Sequence, residues 1–407
     1  MGSEWINVKL GDICNINMEQ SPKSETYNEN GEGLPFYQGR TDFGDRKPKV
    51  TKYCSHPMKI AEKGEVLLSV RAPVGDVNIA NNKCCIGRGI AALSIIKGDN
   101  RFLYYLLKAN KTRWDNYSSG TVFPAISKDD IKNFEVYIPS NLYEQQKIAS
   151  ILSAFDDKIE LNNEMNKTLE EIAQAIFKHW FIDFEFPDEN GEPYKSSGGE
   201  FVDSELGPIP KGWEVKEIKD ICKDNRVITG KTPSTRIKEN YGDYMMFITI
   251  PDMHDKVFVI DTQKKLSRKG VNAQKNKTIP PLSICVSCIA TPGLVSLTSE
   301  YSQTNQQINS IVCKDDISPY YVYFLMKSYK HHIINLGSGG TATLNLNKSE
   351  FEKIKVILPK DDVMEKFHRK VESIFDRILL NLKSNLILSS LRDTLLPKLI
   401  SGEIRVM

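Results

Sequence analysis

The residues in this chain that could do chemistry are few, and each set fails a spacing test. Cys285-x-x-Cys288 has the spacing of half a zinc site. It falls in "SICVSCIAT", an apolar run that reads as a buried strand, where residues three apart point to opposite faces. Two buried thiols are therefore expected. "NRVITGKT" (Asn225 to Thr232) approaches a phosphate-binding loop, but Asn225 stands where the first glycine belongs and no strand–loop–helix frames it. Pro187-Asp188 and Glu214-Val215-Lys216 have the loose carboxylate-and-lysine spacing of a Mg²⁺ nuclease. The first pair lies in a Pro/Gly-rich connector, the second aligns with Ile6-Asn7-Val8 of a repeated segment, and metal catalysis needs rigid ligands. There is no Asn-Pro-Pro-aromatic methyltransferase motif, no Gly-rich cofactor loop after a strand, and no ligand spacing among the 6 His. No catalytic residue and no metal ligand is assigned, which favours a binding protein over an enzyme.

Charge is more informative in its distribution than in its sum. The 407 residues carry a formal net charge of +2. Gln263 to Lys277 holds six Lys/Arg and no acid, Arg40 to Lys63 holds seven against three acids, and Asp183 to Glu205 holds eight acids and one Lys. Two basic segments in comparable parts of two halves point to a polyanion partner. The composition, 40% hydrophobic and 26% charged, is that of a soluble globular protein, and no apolar run reaches the length of a membrane span. No basic-then-apolar leader is present, and the 8 Cys are scattered, which suits a reducing cytoplasm.

These residues sit on a tandem repeat. At an offset of about 210 to 220, "WINVKLGDIC" (Trp5 to Cys14) recurs as "WEVKEIKDIC" (Trp213 to Cys222), and "VLLSVRAPVGDV" (Val66 to Val77) as "ICVSCIATPGLV" (Ile284 to Val295). "FLYYLLKANK" (Phe102 to Lys111) matches "YVYFLMKSYK" (Tyr321 to Lys330), and "GTVFPAISKDDIKNFEVYIP" (Gly120 to Pro139) matches "GTATLNLNKSEFEKIKVILP" (Gly340 to Pro359). Expected strands are 66–70, 91–96 and 134–138, then 247–250, 284–289 and 354–358, with one amphipathic helix before each Gly-Thr loop. The halves diverge most over 15–62 and 223–278, which suggests two sites of one type reading different things.

A long helix follows each module. The first opens at "PSNLYEQQK", with Ser140 or Asn141 as cap and Glu144 three residues on; the second opens at "PKDDVMEKF", with Asp362 and Glu365 in the equivalent places. Spacings of four and three pick out Ile148, Leu152, Phe155, Ile159, Asn162, Asn166, Leu169, Ala173, Ile176 and Trp180. In the second helix they pick out Phe367, Val371, Ile374, Ile378, Asn381, Asn385, Leu388, Arg392, Leu395 and Leu399. Laid antiparallel, Asn162 falls near Asn385 and Asn166 near Asn381, a polar layer that penalises a slipped register. A seam through Leu161, Met165, Leu382 and Leu386, with these Asn facing solvent, is the alternative.

The fold class is therefore α+β: two mixed α/β modules in a pseudo-two-fold tandem repeat, separated by two long antiparallel coiled-coil helices. The segments are a first module (1–140), a first long helix (141–182), an extended connector rich in Pro, Gly and acids (183–212), a second module (213–359), and a second long helix with the C-terminal tail (360–407).

The chain resembles the specificity subunit of Type I restriction–modification systems over essentially its full length. The carriers are the half-repeat, "GKTPS" at Gly230 to Ser234, "LLSVRAPVG" at Leu67 to Gly75, "CIGRGIAAL" at Cys85 to Leu93, and "SSGT" at Ser118 to Thr121. They continue with "EQQKIASILSAFDDKIELNN" at Glu144 to Asn163, "FKHWFIDF" at Phe177 to Phe184 and "LGPIPKGW" at Leu206 to Trp213. The first module departs from the Gly-x-Thr-Pro pattern, with Glu19 where Gly230 sits in the second. The resemblance implies a non-catalytic DNA-reading subunit in the cytoplasm. Each module would be a target-recognition domain for one half of an asymmetric bipartite site in double-stranded DNA, and the helices would set the spacer and dock two modification (methyltransferase) subunits. Restriction (endonuclease/translocase) subunits would join them. S-adenosylmethionine, ATP and Mg²⁺ would belong to those partners, with no cofactor in this chain. A self-contained nuclease or methyltransferase with two reading halves, and a coiled-coil scaffold without a DNA role, are the alternatives.

Reading two half-sites about one helical turn apart, roughly 34 Å, needs Arg and Gln at base edges and Lys, Ser and Thr on phosphates. The candidates are Gln38, Arg40, Lys47, Arg71 and Arg88 in the first module. In the second they are Lys231, Thr232, Ser234, Arg236, Arg268, Lys269, Gln306 and Gln307. The Gly-Thr loops, Ser119-Gly120-Thr121 and Gly339-Gly340-Thr341, are candidates for close backbone approach.

Overall fold

Short apolar runs form the inner strands of two modules built to one plan. The computed structural model describes residues 4–18, 20–116, 124–338 and 345–406. In the first module an antiparallel sheet runs in the order Cys14–Asn17, Ile90–Ile95, Val66–Ser69, Val77–Ile79. A second sheet follows the order Tyr27–Asn28, Tyr53–Cys54, Leu34–Tyr37, Cys84–Ile86, Ile60–Ala61. The second module repeats this. Its central strands are Ile308–Ile311, Ile284–Ser287 and Val295–Thr298, and Met245–Ile248 lies beside Ser302–Thr304. Each module closes on itself by pairing its first strand with its last: Trp5–Lys9 with Glu135–Pro139, and Glu214–Glu217 with Lys355–Leu358.

The repeat holds at the level of single hydrogen bonds. Ser69 Oγ donates to Pro73 O at 2.9 Å and accepts from Asp76 N–H at 2.9 Å. Ser287 Oγ donates to Thr291 O at 2.5 Å and accepts from Leu294 N–H at 2.9 Å. A buried serine thus ties the same loop in both copies, satisfying backbone groups that burial would otherwise leave unpaired.

The chain divides into two compact units, 1–160 with 386–407, and 161–385, so each unit takes part of both long helices. The first long helix spans Leu142–Phe177 and the second Asp361–Ile400. Asn141 caps the first by accepting Tyr143 N–H at 2.9 Å. In the first unit the helices meet through Leu152, Leu396, Leu399 and Ile400 in one apolar core with the module helix Asn100–Ala109. Arg392 breaks the apolar seam there because it is paired. Its guanidinium meets the buried Asp156 carboxylate, which also accepts from Tyr105 Oη at 2.6 Å. Glu144 holds Arg405 at 2.8 Å.

In the second unit Asn162 Nδ2 donates to Asn385 Oδ1 at 2.7 Å, and Asn381 Nδ2 to Asn166 Oδ1 at 2.8 Å. One residue number rises as the other falls, so the helices run antiparallel. Leu161 and Leu386, from the alternative seam, are 50% and 43% exposed. The buried Asn162 Oδ1 and Asn166 Nδ2 have no partner among the described residues, a cost to stability, and a slipped register would bury these amides against apolar side chains.

The connector 183–212 is not the extended strap its composition suggests. Phe186 is buried and stacks on Tyr194 at 4.6 Å, and Phe184 and Trp213 meet at 5.7 Å. A strand pair, Phe201–Val202 with Ile209–Pro210, closes it. Four aromatics within a polar stretch, Phe184, Phe186, Tyr194 and Phe201, together with Trp213 supply enough apolar area to fold it onto the second module. The first long helix ends in a π-turn, Lys178–Ile182, which buries Trp180 and Phe181 against Phe367 at 6.1 and 4.9 Å.

Candidate nucleic-acid interface

In the first module the basic residues converge on one turn. Leu34–Tyr37 runs parallel to Cys84–Ile86, with Tyr37 opposite Ile86. The chain then turns over Gly87–Ile90, closed by Ile90 N–H donating to Gly87 O at 3.1 Å. Arg88 is the second residue of this turn and is exposed. The turn is fixed from both sides: Gly87 N–H donates to Tyr37 O at 2.9 Å, and Val70 N–H to Gly89 O at 3.0 Å. A third brace comes from Ser21, whose Oγ accepts Arg88 N–H at 2.9 Å, while Tyr27 Oη donates to Pro22 O at 2.8 Å. A Cβ at Gly89 would lie 2.3 Å from Gln38 O, so the close approach to Gln38 requires glycine.

Gln38, Arg40, Arg71 and Arg88 line one cleft of about 480 Å³ with Ser21, Thr41 and Pro73. Arg40 is matched: its Nε lies 2.6 Å from Asp76 Oδ2, and Lys111 Nζ lies 2.6 Å from Asp76 Oδ1. Burial opposes ionisation of Asp76, but hydrogen bonds from Lys111 and Arg40 outweigh it and hold the carboxyl below its ordinary value. Arg71 and Arg88 are exposed and meet no acidic side chain among the described residues. Lys47, grouped with them from sequence, sits elsewhere. Its Nζ is 2.5 Å from Glu160, and Arg46 is 2.5 Å from Asp157, so this basic loop ties the module to the first long helix. The acids that claim it lie more than a hundred residues away in sequence, which a local charge pattern does not show.

The same turn recurs in the second module. Ile248 lies opposite Thr304, and the chain turns over Asn305–Ile308 with Ile308 N–H donating to Asn305 O at 3.2 Å. Asn305 N–H donates to Ile248 O at 3.1 Å and Cys288 N–H to Gln307 O at 2.8 Å, the two clamps of the first module over again. Gln306 stands where Arg88 stands, and is exposed. Thr232 Oγ1 donates to Gln306 Oε1 at 2.5 Å, and Tyr241 Oη donates to Pro233 O at 2.9 Å. A Cβ at Gly230 would lie 2.1 Å from Asn305 O, so here the glycine is on the brace. Gln307 is half-buried and turned inward, its Oε1 accepting from Asn305 Nδ2 at 2.9 Å. Lys231 is exposed, and its carbonyl accepts from Gln274 Nε2 at 2.8 Å.

The other candidates of the second module lie off this turn. Ser234 and Arg236 are exposed on the loop beyond it, with Ser234 O accepting from Asn240 Nδ2 at 3.1 Å. Arg268 and Lys269 open the short helix Arg268–Asn272, and the Arg268 guanidinium lies 4.9 Å from the Tyr244 ring centre. Ser119, Gly120, Thr121, Gly339, Gly340 and Thr341 lie outside the described residues, as does Glu19. Ser21, Tyr27 and Tyr241 were missed from sequence. Aligning Ser21-Pro22 with Thr232-Pro233, each followed by a tyrosine, would have found them.

The residues first considered for chemistry have structural roles. Cys285 joins one apolar core and Cys288 another, and burial pushes both thiols up to about 12. Asp188 accepts Asn190 and Glu192 N–H groups at 2.8 and 2.9 Å. Glu214 and Lys216 pair on a strand. Among the described residues no group of three or more His, Cys, Asp and Glu is placed to hold a metal ion.

Two clamped turns, each with one exposed polar side chain, Arg88 or Gln306, mark the chain as a protein of two repeated modules with equivalent surface sites. The family model for the Type I restriction modification DNA specificity domain matches residues 2–171 and 210–386, and the chain belongs to that family. It is 41% identical over 357 residues to the Type I restriction enzyme HindI specificity subunit of Haemophilus influenzae, covering 74% of this chain and 77% of that protein. It is 32% identical to the MjaIX specificity subunit of Methanocaldococcus jannaschii, over 99% of this chain and 94% of that one. In fold it is similar to the crystal structure of a Type I restriction–modification S subunit from M. genitalium, with a TM-score of 0.62 at 17% identity, over 98% of this chain and 96% of that one. No helix among the described residues is long and apolar enough to cross a membrane.

Proposed function

We propose that this chain is the non-catalytic DNA-reading subunit of a Type I restriction–modification complex, each module reading one half of an asymmetric bipartite site. The observation that carries this reading is the pair of turns, 87–90 and 305–308, clamped by equivalent backbone bonds and carrying different exposed side chains. Arg88 and Gln306 suit base edges, and Arg71, Lys231, Arg268 and Lys269 suit phosphates. The paired helices set the spacer between half-sites and dock the modification subunits. The second helix supports docking with Ile387 and Leu391, which are 62% and 48% exposed at a helical spacing of four. The modification and restriction subunits bring S-adenosylmethionine, ATP and Mg²⁺.

The test is the full chain alone and with its modification subunit, offered duplex DNA, Mg²⁺ and S-adenosylmethionine. Alone, the chain binds duplex with an affinity that falls steeply with salt and neither cuts nor methylates it. With its partner it directs methylation to one bipartite motif. Turnover by the purified chain alone would return the self-contained enzyme reading.

A further inference from the structure

The two turns differ in sequence and agree in construction, and that combination bears on which bases are read. Arg88 and Gln306 each follow a residue whose N–H is held by a neighbouring parallel strand, at 2.9 and 3.1 Å. Each precedes a residue whose carbonyl accepts from the strand end that follows a buried serine, at 3.0 and 2.8 Å. Each is touched by a hydroxyl followed directly by proline, Ser21-Pro22 or Thr232-Pro233, and a tyrosine latches that proline carbonyl at 2.8 or 2.9 Å. Four contacts in each copy therefore hold the two turns alike and give these side chains the same point of departure; the hydroxyl meets the backbone N–H of Arg88 and the side-chain amide of Gln306. A side chain that leaves a rigid turn into solvent loses little further backbone freedom when it meets a ligand, which is what selective recognition of an edge requires.

The two residue types have different hydrogen-bonding forks. Arginine offers two parallel N–H donors and no acceptor, which fits the O6 and N7 acceptors of guanine. Glutamine offers one donor and one acceptor, which fits N7 and the N6 amine of adenine. The Thr232 hydroxyl on Gln306 Oε1 fixes the orientation of the amide and leaves the second lone pair of that oxygen and both Nε2 hydrogens for a base. Ser21 engages only the backbone N–H of Arg88, and among the described residues its guanidinium has no acidic partner, which leaves it available for the bidentate pair.

Resting on the DNA-reading function proposed above, we infer that Arg88 and Gln306 are one reading position in two copies, Arg88 taking a guanine in one half-site and Gln306 an adenine in the other.

The experiment uses the full chain with its modification subunit and a pool of duplex DNA randomised over the site, with sequencing of the bound fraction. Arg88→Gln is expected to change one guanine to adenine in one half of the enriched motif and leave the other half alone. Gln306→Arg is expected to make the reverse change in the other half only. Each shift should be roughly tenfold, the scale of one bidentate base pair contact. Arg88→Lys keeps the charge and loses the fork, so it should retain binding while relaxing that single position. If both swaps enrich the wild-type motif with wild-type affinity, or if either changes both halves, the assignment is wrong while the DNA-reading function stands. If the wild-type complex enriches no motif at all, the DNA-reading function falls, and the assignment with it.

Discussion

The first module presents an arginine-rimmed cleft; the second presents a turn lined by amides. Arg71 of the first corresponds to Ile289 of the second, and Arg88 to Gln306, yet the backbone clamps beside them differ by only a few tenths of an ångström. What positions a side chain has been kept through the repeat, and what the side chain offers has been changed. The grips on the long helices differ in the same way. In the first unit the grip adds polar pairs to the apolar core of Leu152, Leu396, Leu399 and Ile400, with Asp156 between Tyr105 and Arg392, and Arg46 and Lys47 on Asp157 and Glu160. In the second it is mainly aromatic, with Phe177, Trp180 and Phe181 on Tyr321 and Phe367. One ion-paired contact is added there, Glu170 with Lys327 at 2.5 Å and Tyr323 at 2.7 Å. Equivalent attachments can thus be made by different chemistry, provided the apolar seam between the helices is shared.

The largest effects should come from breaking the grips. Asp156→Ala takes one of two carboxylates from Arg392, whose side chain is only 15% exposed and which keeps Asp393 at 2.8 Å, and leaves Tyr105 Oη without its acceptor; it should destabilise the first unit by about 2–4 kcal/mol. Glu170→Ala, whose side chain is 24% exposed, should cost the second unit about 1–2 kcal/mol. Urea unfolding of each variant measures both. Equal losses would mean that the ionic and aromatic grips are not the distinction drawn here. Ile387→Glu with Leu391→Glu should lower the affinity for the modification subunit by roughly a hundredfold while leaving the unfolding midpoint within about 0.5 kcal/mol of wild type. Titration of labelled partner against the folded variant checks this.

A change of the opposite sign concerns the polar layer. Replacing Asn162, Asn166, Asn381 and Asn385 together by Leu should stabilise the helix pair by about 1–4 kcal/mol, because unmet polar atoms leave the core. The same variant should broaden the distances that spin labels report across the pair, since register is no longer penalised. Narrow distances would show that the modules alone fix the pairing. The smallest effect belongs to the cleft rim. Arg71→Ala should flatten the slope of log affinity against log salt by about 0.9 without altering the bound motif, as expected for one lost phosphate contact. A changed motif would make Arg71 a reader.

The repeat, the heptad seam and the central strands were legible because they rest on local period and apolar runs, which depend on nothing far away. The strand expected over 284–289 forms as Ile284–Ser287, and that expected over 66–70 as Val66–Ser69. The opposite facing of Cys285 and Cys288 followed from the two-residue period of a strand. Three features were not legible. Arg392 in the apolar seam made sense only once Asp156 lay beside it, 236 residues away. The pairing of Lys47 with Glu160, 113 residues away, has no trace in the local charge pattern. The connector read as extended because its Pro, Gly and acids outnumber its aromatics, and which aromatics meet is settled by tertiary packing. Of the candidate readers, the cleft residues Gln38, Arg40, Arg71 and Arg88 come together, whereas the second module divides its candidates between the turn and the helix Arg268–Asn272.

The central claim is that the two modules are separable readers of one bipartite site. It is tested most directly by mapping methylated adenines in DNA from cells that carry this chain and its modification subunit. The comparison is with cells in which the first module, with its divergent segment 15–62, is exchanged for that of another family member. The account predicts that one half of the methylated motif changes and the other half is retained. A motif that changes in both halves, or in neither, would contradict it.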